Sequence, residues 1–253
     1  MYQELKDLIA KSENIVFLGG AGVSTESGIP DFRSSRGRYT TAAAQGDVSP
    51  EEAASFQYML RNSEAFFGRY RTSLDRTEAK PNRAHYALAK LEQMGKLRAV
   101  VTQNVDGLHQ EAGSVNVHEL HGSNRSCYCQ ECELVYPVTY MRDPSNCYDN
   151  EGNPGFTPRC EACHGIVRPG VVLFGEQLNN AVMSAAYEAV SLADLLIVGG
   201  TSLVVHPAAS LVDCTKRGAT LVILNQSETP YDHKARLIIR DPIGQVLGTV
   251  MDV

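Results

Sequence analysis

Two C-x2-C knuckles, Cys129-Gln130-Glu131-Cys132 and Cys160-Glu161-Ala162-Cys163, stand 27 residues apart in this 253-residue chain. Four thiolates at that spacing suit a tetrahedral Zn2+. An all-cysteine set leaves no open coordination position, so the metal is expected to be structural and to stay away from substrate. Cys127, two residues before Cys129, competes as a ligand; the C-x2-C spacing favours Cys129. Cys147 and Cys214 read as free thiols, Cys214 buried in a helix.

A second chemical signal lies near the N-terminus. The apolar run Ile15-Val16-Phe17-Leu18 leads into Gly19-Gly20-Ala21-Gly22-Val23-Ser24-Thr25-Glu26-Ser27-Gly28. Small residues after a buried strand let backbone amides approach a pyrophosphate, and a helix starting near Ser24 would direct its positive end there. No Gly-Lys-Ser/Thr follows, so this is not a Walker A loop. Thr25 stands where the third glycine of the usual dehydrogenase fingerprint belongs. Asp31-Phe32-Arg33 follows the loop at once. Other apolar runs end in Thr102-Gln103-Asn104-Val105-Asp106, Gly199-Gly200-Thr201-Ser202 and Asn225-Gln226-Ser227. Four run ends with hydrogen-bonding groups predict a polar, nucleotide-sized pocket.

The elements that must carry these residues follow from periodicity. Ile15–Leu18, Ala99–Val101, Leu195–Val198, Leu221–Leu224 and Leu237–Ile239 are too short for helices, and most are rich in β-branched residues, as strands buried on both faces are. Ala84 to Met94 and Val182 to Leu192 have helical apolar stripes. The alternation predicts an α/β fold with a parallel sheet that binds ligand beyond its carboxyl ends. Two stretches interrupt it. Residues 34–80 are polar, with helix expected from Pro50 onward. Residues 122–170 hold six of the seven cysteines, have few apolar residues, and need a staple to fold.

Composition narrows the classes. With 43% hydrophobic and 21% charged residues the chain is neither disordered nor a disulfide-dense miniprotein. A net charge of -6 argues against nucleic acid as the main ligand. No apolar run is long enough to span a bilayer. The N-terminal stretch lacks the form of a secretory signal, which with the cysteine usage predicts a cytoplasmic protein.

In combination these blocks resemble the sirtuins, NAD-dependent protein lysine deacylases, in a bacterial-type form. The stretches that carry the resemblance are Gly20 to Ser34, Thr102 to His109, His118-Glu119-Leu120-His121-Gly122-Ser123, the four zinc-spaced cysteines, Arg168-Pro169, Val172 to Glu176, Gly200-Thr201-Ser202 and Asn225. The resemblance implies a Rossmann-like NAD-binding domain over 1–121 and 171–253, with a helical insertion at about 34–80. A zinc-ribbon insert over 122–170 and an active site in the cleft between the domains complete that picture. NAD is then the co-substrate and Zn2+ structural.

Carried across by position, Gly20, Ala21, Gly22, Thr25, Asp31, Phe32 and Arg33 belong to the NAD loop. Gln103, Asn104, Val105 and Asp106 belong to the nicotinamide pocket. Gly200, Thr201, Ser202, Asn225 and Ile243 hold the adenosine half. Val172, Phe174 and Gly175 receive acyl-lysine proteins or peptides. His121, Asn104 and Asp106 form the catalytic set, with His121 as general base. An imidazole with an ordinary pKa near 6.5 can take a proton from a ribose hydroxyl at neutral pH. The Val171–Phe174 run also reads as a core strand. No membrane or direct nucleic-acid partner is implied, and no oligomeric state.

Relatives that prefer succinyl or malonyl groups carry a Tyr-x-x-Arg pair in the helical insertion. Here Phe67 and Tyr70 take those places, which predicts a preference for uncharged acyl groups; Arg69 or Arg71 would restore the cation if the register shifts by a residue or two. His164 and His206 depart from the family's usual glycine and tyrosine. The competing activity is NAD-dependent protein ADP-ribosylation, which has no need of the base that His121 supplies. A non-catalytic NAD sensor would not need it either.

Overall fold

The computed structural model describes residues 1–32, 48–74 and 79–253. Strands in chain order are β1 (Ile15–Gly19), β2 (Leu97–Thr102), β3 (Val117–Glu119), β4 (Gly122–Cys129), β5 (Val135–Pro137), β6 (Cys147–Tyr148), β7 (Pro154–Pro158), β8 (Val167–Val171), β9 (Leu195–Gly199), β10 (Thr220–Leu224) and β11 (Leu237–Ile239). The chain divides into two compact units. The first comprises Met1–Asp31, Lys80–Leu120 and Leu178–Val253; the second comprises Phe32–Ala79 and His121–Gln177.

The first unit is built on a six-stranded sheet in the order β11-β10-β9-β1-β2-β3, parallel throughout. The five apolar runs all lie in it, as their β-branched composition requires. Alternate residues go to opposite faces. Ile15, Phe17, Val100 and Ile197 pack with Leu5, Leu88, Leu91 and Leu247 on one face. Val16, Leu18, Val101 and Val198 pack with Ala186, Val190 and Leu211 on the other. Helices Tyr2–Lys11, Arg83–Gln93 and Ile243–Met251 cover the first face, and Asn180–Leu192 lies on the second. Two of the starts have side-chain caps. Asn82 accepts from Ala84 N, and Asn179 accepts from Ala181 N and Val182 N. Strand order reverses between β1 and β9, and such a switch point is where open parallel sheets bind ligands.

The second unit holds a three-stranded antiparallel sheet, β5-β4-β8, and the hairpin β6-β7. Helices Pro50–Ala53, Phe56–Arg61 and Ser63–Leu74 belong to it, so helix does begin at Pro50. Ser49 and Ser55 cap the first two by accepting from Glu52 N and Tyr58 N. The small core combines Met59, Phe66 and Phe67 from the helices with Cys127, Cys129, Tyr136, Met141, Cys160 and Val167. The cysteine-rich segment thus borrows apolar side chains that its own sequence lacks.

Two local expectations are corrected. The glycine loop forms a 3-10 helix over Ala21–Ser27, closed by Gly28 at φ 85°, in place of an α-helix from Ser24. Val23, Thr25 and the serines are weak α-helix formers, and a short 3-10 turn suits them better. The apolar run after β8 is not a core strand. Leaving β8 at Val171, the chain turns so that Leu173 N donates to the Glu176 carboxylate and Glu176 N donates back to Leu173 O. Leu173 is buried there while Phe174 is exposed.

Candidate active site

Within the first unit, the ends of β1, β2, β9 and β10 are knitted into one polar surface. Gly20 N donates to Gly199 O and Gly22 N to Gly200 O. Gly200 N donates in turn to Leu224 O. The β1 and β9 turns touch backbone to backbone. Gly200 has φ 60°, and a Cβ there would lie 2.4 Å from Val23 N, so only glycine fits. The missing side chain lets the two turns pack main chain against main chain at the switch point of the sheet.

The end of β2 supplies the side chains. Ser24 Oγ donates to Asp106 Oδ2 at 2.7 Å, and Asn104 Nδ2 donates to Ser24 Oγ at 3.1 Å. Asp106 Oδ1 accepts from Leu108 N, the first residue of the short helix Leu108–Glu111. Thr102 Oγ1 accepts from Asn104 N. Gln103 Nε2 donates to Thr201 Oγ1, tying β2 to β9. Asn104, Thr201 and Ser24 are buried; Val105, Asp106 and Ser202 are half-buried. Ser24, which sequence reasoning left out of the site, is the bridge between the asparagine and the aspartate. Its sequence signal was weak, because Thr25 and Ser27 offer hydroxyls in the same loop.

The remaining cofactor candidates are placed less closely. Asn225 Nδ2 donates to Ser227 O, and Arg240 holds both Asn225 O and Ser227 O. Ile243 is buried, with Gly244 N donating to the Glu26 carboxylate. Ala21 is half-buried, and Thr25 is exposed, its hydroxyl donating to Gly22 O. Asp31 is half-buried and Phe32 exposed; Arg33 lies outside the described residues.

Two histidines lie under this surface. His85 Nδ1 accepts from Asn82 N, while Asn82 Nδ2 donates to Val23 O and Ser27 Oγ of the glycine loop. The rings of His85 and His109 are 4.7 Å apart. Burial lowers His85 to about 4 against the opposing pull of Asp106. Burial, reinforced by His85, lowers His109 to about 3. Both are neutral at pH 7. His118 is lowered by burial as well.

In the second unit His121 is half-buried at the start of β4. Its carbonyl accepts from Val172 N at 2.8 Å. Gly122 follows at φ 74°, and a Cβ there would lie 2.2 Å from Gly170 O. Close pairing of β4 with β8 therefore places His121 beside the Val172–Gly175 turn. Phe174 is fixed by its main chain, donating to Ala54 O and accepting from Phe56 N. Val172 is half-buried, and Phe174 and Gly175 are exposed, as a docking edge must be.

The sulfurs of Cys129, Cys132, Cys160 and Cys163 all lie within 4.8 Å of one another. Two of the separations are 3.4 and 3.6 Å. Tetrahedral Zn2+ with bonds of about 2.3 Å needs sulfurs about 3.8 Å apart, so the set fits. The Tyr136 hydroxyl, 3.1 Å from Cys160 Sγ, holds that thiol below its ordinary value. Cys127 is not a ligand: its thiol faces Tyr136 O and Pro137 O, and burial raises it to about 12. Cys147 is a buried free thiol. Cys214 is free and only half-buried, at the end of a 3-10 helix, where a core position was expected.

A parallel sheet with a glycine-crowded turn at its switch point, in a chain with a four-thiolate centre, is the architecture of a dinucleotide-using enzyme with a structural metal. The Sir2 family model matches residues 20–207, and the chain belongs to the Sir2 family. It is 51% identical over 249 residues to an NAD-dependent protein deacetylase of Clostridium perfringens, covering 98% of each chain. To the enzyme of the same description from Clostridium acetobutylicum it is 48% identical, covering 98% of this chain and 97% of that one. Among solved structures, a Sir2 complex with a p53 peptide and NAD+ has TM-score 0.85 and 37% identity, over 100% of this chain and 98% of that one. A Sir2 variant with deacetylated p53 peptide and 3'-O-acetyl-ADP-ribose has TM-score 0.87 and 37% identity, covering 99% and 97%.

Proposed function

We propose that this chain is an NAD-dependent protein lysine deacetylase. The observation that carries the reading is end-to-end identity of about half with NAD-dependent protein deacetylases. The overall change consumes NAD, acyl-lysine and water and yields nicotinamide, free lysine and O-acyl-ADP-ribose. That product class is the one bound to the related Sir2 variant. ADP-ribosylation of protein is not favoured by such relatives.

The roles follow from the chemistry of each group. The small-residue loop after β1, with Gly20, Ala21, Gly22 and Thr25, lets the pyrophosphate approach closely, and Gly200, Thr201, Ser202, Asn225 and Ile243 hold the adenosine half. Asp106, positioned by Ser24 and Leu108 N, presents its carboxylate to the nicotinamide carboxamide. Asn104 and Gln103 order the groups beside it. Val172, Phe174 and Gly175 receive the acyl-lysine segment. Once the acyl oxygen has displaced nicotinamide from C1′ of the ribose, His121 accepts a ribose hydroxyl proton and frees that oxygen to attack the imidate carbon, and addition of water then expels the lysine amine. The four thiolates hold Zn2+ and keep the second unit folded. Seven cysteines with no disulfide suit a reducing compartment such as the cytoplasm, and no helix among the described residues is long and apolar enough to cross a membrane.

The acyl group taken is uncharged. Phe67 is buried and edge-on to Phe66, and Phe66 stacks on Tyr70. The Tyr70 hydroxyl donates to Asn124. The neighbouring cations have other partners: Arg69 lies over the Tyr58 ring, and Arg71 donates to Cys147 beside the Phe156 ring. A buried acyl carboxylate would want for a partner at a cost of several kcal/mol. The test of function is nicotinamide release from NAD with and without an acetyl-lysine peptide. Release that depends on the peptide is expected; peptide-independent release, or none, contradicts the proposal.

A further inference from the structure

Arg168 stands out in the second unit as a guanidinium with a side chain only 3% exposed. Its Nη1 donates to Glu176 Oε1 at 2.6 Å and its Nη2 to Glu176 Oε2 at 2.7 Å, a two-pronged pair. Nη2 also donates to Val171 O at 3.0 Å. The cation sits over the rings of Phe56 and Tyr128, at 5.4 and 5.6 Å. Glu176 Oε2 accepts a further bond, from Leu173 N at 2.8 Å. Burial works to raise the Glu176 carboxyl, and the Arg168 and Leu173 donors outweigh it and hold it below its ordinary value. The pair is therefore ionised at neutral pH.

The two residues close a ring around one short segment. Arg168 holds the main chain at Val171, Glu176 holds it at Leu173, and Val172 between them donates its N–H to His121 O. The same segment carries Phe174, whose main chain pairs with residues 54 and 56; Phe56 supplies one of the rings under Arg168. A buried ion pair contributes little net stability compared with apolar residues of similar shape, so stability is a weak reason for this one. Its bonds go to the main chain on either side of Val172, in the segment that leads to the exposed Phe174 and Gly175.

We propose that Arg168 and Glu176 are positioning residues that hold the Val172–Gly175 edge and the His121 main chain in one geometry for the incoming acyl-lysine peptide. This rests on the reading of Val172, Phe174 and Gly175 as the peptide edge. Neither residue touches substrate. Their effect is on the affinity and alignment of the peptide, while the NAD-binding turns belong to the first unit and are untouched.

The test is steady-state kinetics of the zinc-loaded full chain with NAD and an acetyl-lysine peptide. Two changes are compared, Glu176→Gln and the double replacement Arg168→Met with Glu176→Leu. The double change removes both charges together, and such replacements commonly keep the fold. Loss of one charged hydrogen-bond set predicts a rise in peptide KM of ~10-fold or more. KM for NAD should stay within about twofold, and zinc content and Tm should remain near those of the parent. A pair that only stabilises the fold would leave peptide KM unchanged in any variant that folds. That result, or a parallel loss of NAD and peptide affinity, overturns the proposal. Phe174→Ala separates the proposal from the reading beneath it. If Phe174→Ala raises peptide KM and the pair variants do not, the clamp is wrong and the peptide edge stands. If Phe174→Ala also leaves peptide KM unchanged, the edge assignment fails with it.

Discussion

His85 shows how a single buried residue braces the glycine loop from beneath. His85 takes the main-chain proton of Asn82, and Asn82 reaches the glycine turn at Val23 and Ser27. Among the described residues, His85 Nε2 and both nitrogens of His109 have no hydrogen-bond partner. Neither imidazole can be charged cheaply. In the unfolded chain both take up protons below about pH 6.5; in the folded chain they do so only near 4 and 3. Their contribution to stability is thus complete above pH 6.5 and is lost as pH falls toward those values, each contributing a slope of up to about 1.4 kcal/mol per pH unit. Urea unfolding of the parent and of His109→Gln between pH 7 and 4.5 should show a shallower acid loss in the variant. Equal slopes would contradict the assignment. At this scale the sequence was legible where a residue type is chemically rare, as with the four knuckle thiols. Ser24 and the Arg168–Glu176 pair were missed because hydroxyls and ion pairs are common and only three-dimensional contact distinguishes them.

Strands and helices were legible because burial on both faces leaves an unbroken apolar run, and burial on one face leaves a stripe. β1 and β9 fall almost where those runs stand. The elements that were misread are those set by single hydrogen bonds: the 3-10 turn at Ala21–Ser27, and the end of β8, where Glu176 captures Leu173 N. The knuckles are the strongest element-scale case. Their sulfurs meet in space, and two of the cysteines belong to the same core as Met59, Phe66 and Phe67. Metal binding in such small units is coupled to folding. Removing the zinc with a strong chelator should release one equivalent per chain, lower the Tm, and abolish turnover by loss of structure. Release of one equivalent with turnover and melting unchanged would contradict a structural metal.

For the whole molecule, the two units have separate cores, and each meets a separate demand. The parallel sheet of the first gathers crowded glycine turns and an ordered carboxylate at its switch point. The second combines a sheet that carries four clustered thiols with helices whose Phe66 and Phe67 join its core. With Phe67 and Tyr70 where a carboxylate-binding pair would stand, kcat/KM for acetyl-lysine peptide should exceed that for succinyl-lysine peptide by ~100-fold, the loss expected for an unpaired buried charge. Comparable values would place a cation where Tyr70 now bonds Asn124. The division into two units was less legible than the fold class. Residues 50–74 give no sequence sign of which core they join, because that depends on apolar side chains such as Phe66 meeting distant partners such as Val167.

The role of His121 as the base that drives acyl transfer to ribose is the centre of the account. Mass spectrometry of the products formed from NAD and an acetyl-lysine peptide, by the parent and by His121→Ala, tests it most directly. The parent should give deacetylated peptide, nicotinamide and O-acetyl-ADP-ribose. The variant should keep its zinc and its NAD affinity but form those products ~100-fold or more slowly, the usual worth of a general base. Undiminished formation of O-acetyl-ADP-ribose by His121→Ala would contradict the account.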